Sequence, residues 1–287
     1  ALGPIERLLV FGRAAWFYFG KLLWPADLVF IYPRWTIDAT QAWQWLFPLG
    51  LGAALAALWW DRNRNRGPLA AALFFGGTLF PALGLVNVFP FVYSYVADHF
   101  QYVACLGVFA LAAATGARLM RDRAPALRRT AGIGILTTLG CLTWLHASTY
   151  RDVFTLYRAT LAKNPACWMA HNNLAIALVD AGRSVEALPH YEQALRHRPN
   201  YAEAENNVGY ALTQLGRAAE ALPHLDRALS LKPHYADAHN NRGAALMALG
   251  RIAEGIAAFA EATRLNPKFA LAHLNHGRAL AASGRVG

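Results

Sequence analysis

Apolar residues follow two different patterns along this chain, and the change comes near residue 150. Before it, apolar runs are long and continuous. Four of them approach the roughly 20 residues of helix that cross a bilayer. They run from Trp43 to Trp60, from Pro68 to about Val92 with Pro81 and Pro90 inside, from Tyr102 to Met120, and from about Ala131 to Ala147. Trp43, Trp45, Trp59 and Trp60 stand at the ends of the first run, where interfacial aromatics belong. Ahead of it, Ile5–Trp24 gathers Glu6, Arg7, Arg13 and Lys21 on one side of a helical wheel. A helix lying in the membrane interface fits this pattern, and so does one packed inside a larger membrane domain.

After residue 150 the apolar positions become short, helical in spacing and periodic. Pro165, Pro199, Pro233 and Pro267 are each 34 residues apart, and so are Gly182, Gly216, Gly250 and Gly284, each followed by Arg. Ala194, Ala228 and Ala262 keep the same period, as do Ala187, Ala221 and Gly255. A period of 34 is that of the tetratricopeptide (TPR) helical hairpin. Three full repeats follow, 168–201, 202–235 and 236–269, with a truncated fourth from Ala270. Small residues at Ala175, Gly209, Gly243 and Gly277 let the first helix of each hairpin approach the second. The glycines after each first helix suit a left-handed C-cap, and the prolines close each second helix. Tyr150–Lys163 reads as a lone second helix that pads the first repeat. The predicted fold class is therefore all-α: polytopic transmembrane helices over 1–149, then a TPR α-solenoid over 150–287.

Charge refines this picture. The net charge is +10, but residues 1–149 concentrate their excess arginine in two short loops between apolar runs. These are Asp61–Arg66 and the stretch holding Arg118, Arg121, Arg123, Arg128 and Arg129. Short arginine-rich loops stay cytoplasmic, which places both ends of the region, and the repeats, outside the cytoplasm. A bacterial inner membrane fits. With no continuous basic face, nucleic acid is not an expected partner. The three cysteines form no CxxC, so neither a disulfide framework nor a zinc site is expected. The chain starts at Ala1 and ends at Gly287 inside a repeat, which reads as part of a longer protein.

Candidate chemistry lies in two places. Asp98 and His99 sit in the outer loop Tyr93–Gln101, between aromatic-rich runs. Ionisable groups at a membrane surface are functional candidates, although Asp98 also suits a helix N-cap with His99 in water. In the repeats, the fifth position of each first helix is Asn172, Asn206 and Asn240, and the sixth is Asn173, Asn207, Asn241 and Asn275. These positions face away from the packing face of His171, Leu174, Ala175 and Leu178. An asparagine amide can bond both N–H and C=O of an extended peptide. The row resembles the asparagine ladder of the TPR superhelix of O-GlcNAc transferase; asparagine that merely solvates the groove is the other reading. His171, His239 and His273 share one repeat position, and His190 and His224 another, so they read as repeat consensus and no metal is expected.

The first region carries a further resemblance. Tyr18-Phe19-Gly20-Lys21-Leu22-Leu23-Trp24-Pro25-Ala26-Asp27-Leu28 with Tyr32-Pro33, then Phe80–Gly84, Val96–Tyr102 and Leu161–Pro165, look like segments of the transmembrane-and-TPR protein O-mannosyltransferases and their bacterial relatives. These are GT-C-type glycosyltransferases. The resemblance implies a polyprenyl-phosphate sugar donor in the membrane and an acceptor polypeptide in the TPR groove. Lys21 and Arg34 would pair with the donor phosphate, and Tyr102 would line the site beside Asp98 and His99. Family members often have Arg where this chain has His99. Their catalytic acid lies in an earlier loop than any this sequence contains. Alternatives are a non-catalytic, membrane-anchored TPR scaffold and a cytoplasmic adaptor of inverted topology.

Overall fold

The computed structural model describes residues 2–23, 25, 28–85, 96 and 103–284. The chain divides into two compact units, Ala1–Asn164 and Pro165–Gly287. Regular structure among the described residues is entirely helical.

The first unit begins with α1 (Pro4–Leu23), which buries Leu9, Val10, Ala14, Ala15 and Tyr18. It crosses the start of α2 (Leu46–Asp61) so closely that a Cβ on Gly12 would overlap Pro48. The helix is therefore packed on one face rather than lying open along its apolar side. Val29 and Tyr32, from the extended chain after α1, join Phe75 and Leu79 of α3 (Gly67–Leu79) in the same core. α3 stops at a 3-10 turn over Phe80–Ala82, where Pro81 supplies no N–H to carry the helix on. α4 (Cys105–Leu119) packs on α3, and α5 (Pro125–Ala147) follows.

Among the described residues, two stretches are long and apolar enough to cross a membrane, Ala42–Asp61 and Pro125–Tyr150. They match the first and fourth of the runs expected from the sequence. The helices in the other two runs, Gly67–Ala82 and Cys105–Leu119, are shorter. The remaining parts of those runs, toward Val92 and from Tyr102, lie outside the described residues. Helices α2, α4 and α5 bury none of their residues. Ile133, Leu136 and Trp144 of α5 are 64%, 71% and 79% exposed, so this apolar surface is not consumed by the unit's own core.

α6 (Val153–Lys163) closes the first unit. Asp152 caps it by accepting a hydrogen bond from the Thr155 backbone N–H at 2.9 Å. At its end the Asn164 amide donates to the Ile31 carbonyl at 3.2 Å and the Lys163 ammonium to the Leu28 carbonyl at 3.1 Å. Phe30 lies edge-on to Tyr150 and Tyr157. The Leu28–Pro33 and Leu161–Pro165 segments, far apart in sequence, thus meet.

The second unit is three helical hairpins and a final helix. The hairpins are α7 (Trp168–Asp180) with α8 (Ser184–His197), α9 (Ala202–Gln214) with α10 (Ala218–Leu231), and α11 (Ala236–Ala248) with α12 (Ile252–Leu265). α13 (Ala270–Ala282) packs on α12. Each first helix ends in the same way. Gly182, Gly216 and Gly250 all take φ of +74°, and the next arginine N–H reaches back to Leu178, Leu212 or Leu246 at 2.8–2.9 Å. That arginine then clamps a glutamate three residues on, as Arg217 does Glu220 with two bonds of 2.7 and 2.8 Å. Within the hairpins, Gly209 lies against Leu225 and Gly243 against Phe259, each buried, so the small residue makes room for the large one. Pro189 and Pro223 lie inside α8 and α10, on exposed positions.

Candidate functional site

The stacking of first helix on first helix places the asparagines of neighbouring repeats side by side, and their amides bond in an unbroken zigzag. Within a repeat, the amide of the fifth position donates to the carbonyl oxygen of the sixth: Asn172 to Asn173 at 3.1 Å, Asn206 to Asn207 at 3.3 Å, and Asn240 to Asn241 at 3.4 Å. Between repeats, the sixth position donates back to the fifth of the repeat before. Asn207 donates to Asn172 at 3.3 Å, Asn241 to Asn206 at 2.9 Å, and Asn275 to Asn240 at 2.9 Å. Leu274 occupies the fifth position of the last repeat, so the series ends there.

The two rows differ in what they offer a ligand. Asn172, Asn206 and Asn240 are only 3–4% exposed and form the inner row. They present almost no surface, and their burial is tolerable because both ends of each amide are hydrogen-bonded. Asn173, Asn207, Asn241 and Asn275 are half-buried and form the outer row. Asn207 and Asn241 each use one N–H and one carbonyl lone pair in the seam. An asparagine amide has two of each, so one donor and one acceptor remain on each. Of the seven asparagines expected from the sequence to meet a peptide, the outer four carry the accessible amide surface.

Around this row, the ninth position of each first helix contributes Ile176, Tyr210, Ala244 and Arg278, and the second contributes Met169, Glu203, Asp237 and Leu271. Ile176 and Tyr210 are 36% and 40% exposed. Glu203 is ion-paired to Lys232 at 3.2 Å, which leaves the face apolar and amide-rich near its start.

The histidines of the fourth position have a recurrent structural partner. Nε2 of His171, His239 and His273 each lies 3.0 Å from the carbonyl oxygen of the proline six residues earlier, Pro165, Pro233 and Pro267. The imidazole so ties the first helix of these three repeats to the turn that precedes it. His171 also meets His190, Nδ1 to Nδ1, at 3.1 Å. Burial holds the His171 pKa below its ordinary value, with the positive potential of His190 and His197 adding to the effect against the Pro165 carbonyl. In the second repeat the same pair is Glu205 and His224, at 2.7 Å.

In the first unit, Asp98, His99 and Tyr102 lie outside the described residues. Lys21 is half-buried near the end of α1, its ammonium 5.7 Å from the ring centres of both Phe17 and Tyr32. Arg34 is exposed on the extended chain that follows. Arg13, which the sequence places only in the polar stripe of α1, has its guanidinium over Trp35 at 4.5 Å.

Residues 155–201 and 173–236 match one tetratricopeptide repeat family, and residues 212–274 match a second. The second unit is a TPR α-solenoid. The matched stretch opens inside α6. Similar solved structures include MamA 41-end from Desulfovibrio magneticus RS-1, at 22% identity over 46% of this chain and 75% of that one, with a TM-score of 0.43. The first TPR of Spaghetti (RPAP3), bound to the HSP90 peptide SRMEEVD, is similar at 21% identity over 41% and 93%, with a TM-score of 0.39. The Arabidopsis OM64 TPR domain is similar at 21% identity over 39% and 93%, with a TM-score of 0.38. No curated protein matches the chain. Nothing in these comparisons supports the resemblance of the first unit to a GT-C glycosyltransferase.

Proposed function

We propose that this chain is a membrane-anchored scaffold whose repeats hold an extended polypeptide along Asn173, Asn207, Asn241 and Asn275. The observation that carries this reading is the double role of the outer row. Each of Asn207 and Asn241 is fixed by the seam yet keeps one donor and one acceptor. That is the complement of one peptide unit. Because the seam orients these amides before any ligand arrives, little side-chain entropy is lost on binding. Backbone contacts of this kind select for extended conformation, and Ile176 and Tyr210 add apolar surface beside them.

The exposed apolar helices α2 and α5 support the membrane part of the proposal. A bilayer would cover surface that the unit leaves bare. The arginine-rich loops at Asp61–Arg66 and Arg118–Arg129 favour a cytoplasmic side for those turns and an extracytoplasmic side for the repeats, as at a bacterial inner membrane. A sugar transfer from a polyprenyl-phosphate donor would draw on Asp98, His99 and Tyr102, and no observation favours it over the scaffold.

The test uses the full chain in detergent and a reduced, carboxymethylated protein as an extended polypeptide. Binding measured by fluorescence anisotropy is expected to weaken at least tenfold, on the order of 1.4 kcal/mol, when Asn207→Ala and Asn241→Ala are combined. Glu192→Ala, an exposed change on α8, is expected to leave it unaltered. Equal binding by the double variant would overturn the assignment of the outer row.

A further inference from the structure

Arg13 occupies an unusual setting at the crossing of α1 and α2. Its guanidinium lies over three aromatic rings, 4.5 Å from the centre of Trp35, 5.6 Å from Trp43 and 5.8 Å from Phe47. The rings are held in place independently of it. The buried Gln44 amide donates to the Thr36 carbonyl at 3.2 Å, and its oxygen accepts the Asp38 backbone N–H at 3.2 Å. This ties the chain beside Trp35 to the turn that carries Trp43. Trp16 donates to the Phe47 carbonyl at 3.0 Å, and Trp45 to the Ala39 carbonyl at 3.0 Å. The cage is thus built by its own hydrogen bonds, with the cation at its centre.

What the cage lacks is an acceptor. Among the described residues, the five N–H donors of Arg13 have no hydrogen-bond partner and no carboxylate in ion-pair range. Asp38, three residues after Trp35, has its carboxylate committed elsewhere. It accepts from the Thr40 backbone N–H at 2.9 Å, from the Thr40 hydroxyl at 2.6 Å and from the Gln41 amide at 3.4 Å. Burial accordingly lowers the Arg13 pKa with no opposing charge to offset it. Arg62, at the other end of α2, makes the instructive contrast. It also lies over a tryptophan, 4.2 Å from the Trp59 ring centre, yet it donates to the Trp59 carbonyl at 2.7 Å.

A half-buried guanidinium that stacks on aromatic faces keeps its N–H edges available for a bidentate oxyanion, and phosphate fits that fork. Trp43 and Phe47 sit at the start of the apolar stretch Ala42–Asp61, where a bilayer's headgroup layer would lie. We infer that Arg13 and the cage of Trp35, Trp43 and Phe47 form a binding site for a phosphate-bearing anion, supplied by an anionic lipid headgroup. The choice of lipid as the source rests on the membrane reading above, whereas the site itself does not. The rings supply the wall against which the headgroup's glycerol or acyl carbons rest, and the guanidinium supplies the charge.

The experiment compares the full chain with Arg13→Gln, Arg13→Lys and Arg62→Gln, each checked for unaltered helical content. Native mass spectrometry in detergent reads the occupancy of added dioctanoyl phosphatidic acid against dioctanoyl phosphatidylcholine. The wild-type chain and Arg62→Gln are expected to retain phosphatidic acid in preference. Arg13→Gln is expected to bind it about tenfold more weakly, as loss of charge-assisted bonds implies. Arg13→Lys, which keeps the charge but not the fork, is expected to fall between. Equal retention by Arg13→Gln, or equal loss in Arg62→Gln, would overturn the site. Inorganic phosphate forms a second arm. If it displaces the lipid at millimolar concentration, phosphate alone is the ligand; if it does not, the lipid headgroup is. A chain that stays soluble and takes up neither detergent nor lipid would sink the membrane reading. Inorganic phosphate binding lost in Arg13→Gln would then still uphold the site, and its absence in the wild type would end it.

Discussion

Asn206 is 4% exposed, and both ends of its amide are committed: the nitrogen to Asn207 at 3.3 Å and the oxygen to Asn241 at 2.9 Å. Removing it strands a donor on one neighbour and an acceptor on the other. Asn206→Ala is therefore expected to destabilise the repeats by about 2 kcal/mol. Asn275→Ala, at the end of the seam, strands only the Asn240 oxygen and is expected to cost about half as much. Urea unfolding followed by far-ultraviolet circular dichroism measures both; equal effects would contradict the buried seam. The presence of the asparagines and their two repeat positions are legible in the sequence. Their division into an inner and an outer row is not. Fifth and sixth positions lie about 100° apart on a helix, and which of them is covered depends on the rotation between successive repeats. The histidines pose the same problem. Their period is evident at His171, His239 and His273, whereas their bond to a proline carbonyl exists only once the turn has folded.

The helical hairpin is the element that period 34 specifies, and its signals are local. Gly182, Gly216 and Gly250 lie just past the first helices because only a residue without a Cβ takes their φ of +74° at little cost. The eighth position tests the packing between the two helices. A Cβ at Gly209 would overlap Leu225, and one at Gly277 would meet nothing within 4 Å. The same substitution should then have opposite signs. Gly209→Ala is expected to cost roughly 1–3 kcal/mol by overpacking. Gly277→Ala, inside α13, is expected to stabilise that helix by roughly 0.5–1 kcal/mol. Thermal unfolding of the two variants decides it, and a loss of stability in both would show that the position serves something other than the hairpin contact. In the first unit, helix α1 shows where pattern reading stops. Its polar stripe of Glu6, Arg7, Arg13 and Lys21 is compatible with an interface or with a packed core. The contact of Gly12 with Pro48 and the rings around Arg13, which pack one face of the helix, are not legible in that stripe. Pro189 and Pro223 carried no helical signal either, since proline inside a helix removes a backbone bond; they are accommodated at exposed positions of α8 and α10.

At the scale of the molecule, the two units differ in what they leave uncovered. The repeats bury the apolar positions between their packed helices: Leu174, Leu178, Leu225 and Leu246 are at most 2% exposed, each contributing about 2 kcal/mol to folding. The first unit leaves α2 and α5 apolar and bare. Such surface demands a covering, and a bilayer is the covering proposed for it. Domain character was legible because composition and period change together near residue 150, while the division between compact units falls at Asn164, after α6. That helix shares its sequence register with the repeats, yet the Lys163 and Asn164 bonds to Leu28 and Ile31 hold its end to the first unit.

The most direct test of a membrane-held, outward-facing repeat array is protease access in sealed right-side-out vesicles, after the membranes have been washed with alkaline carbonate. The chain is expected to remain in the washed membranes. Added protease is expected to digest the repeats in intact vesicles, leaving protected fragments that contain α2 and α5. Release of the chain into the wash, or repeats that are cut only after the vesicles are opened, would contradict it.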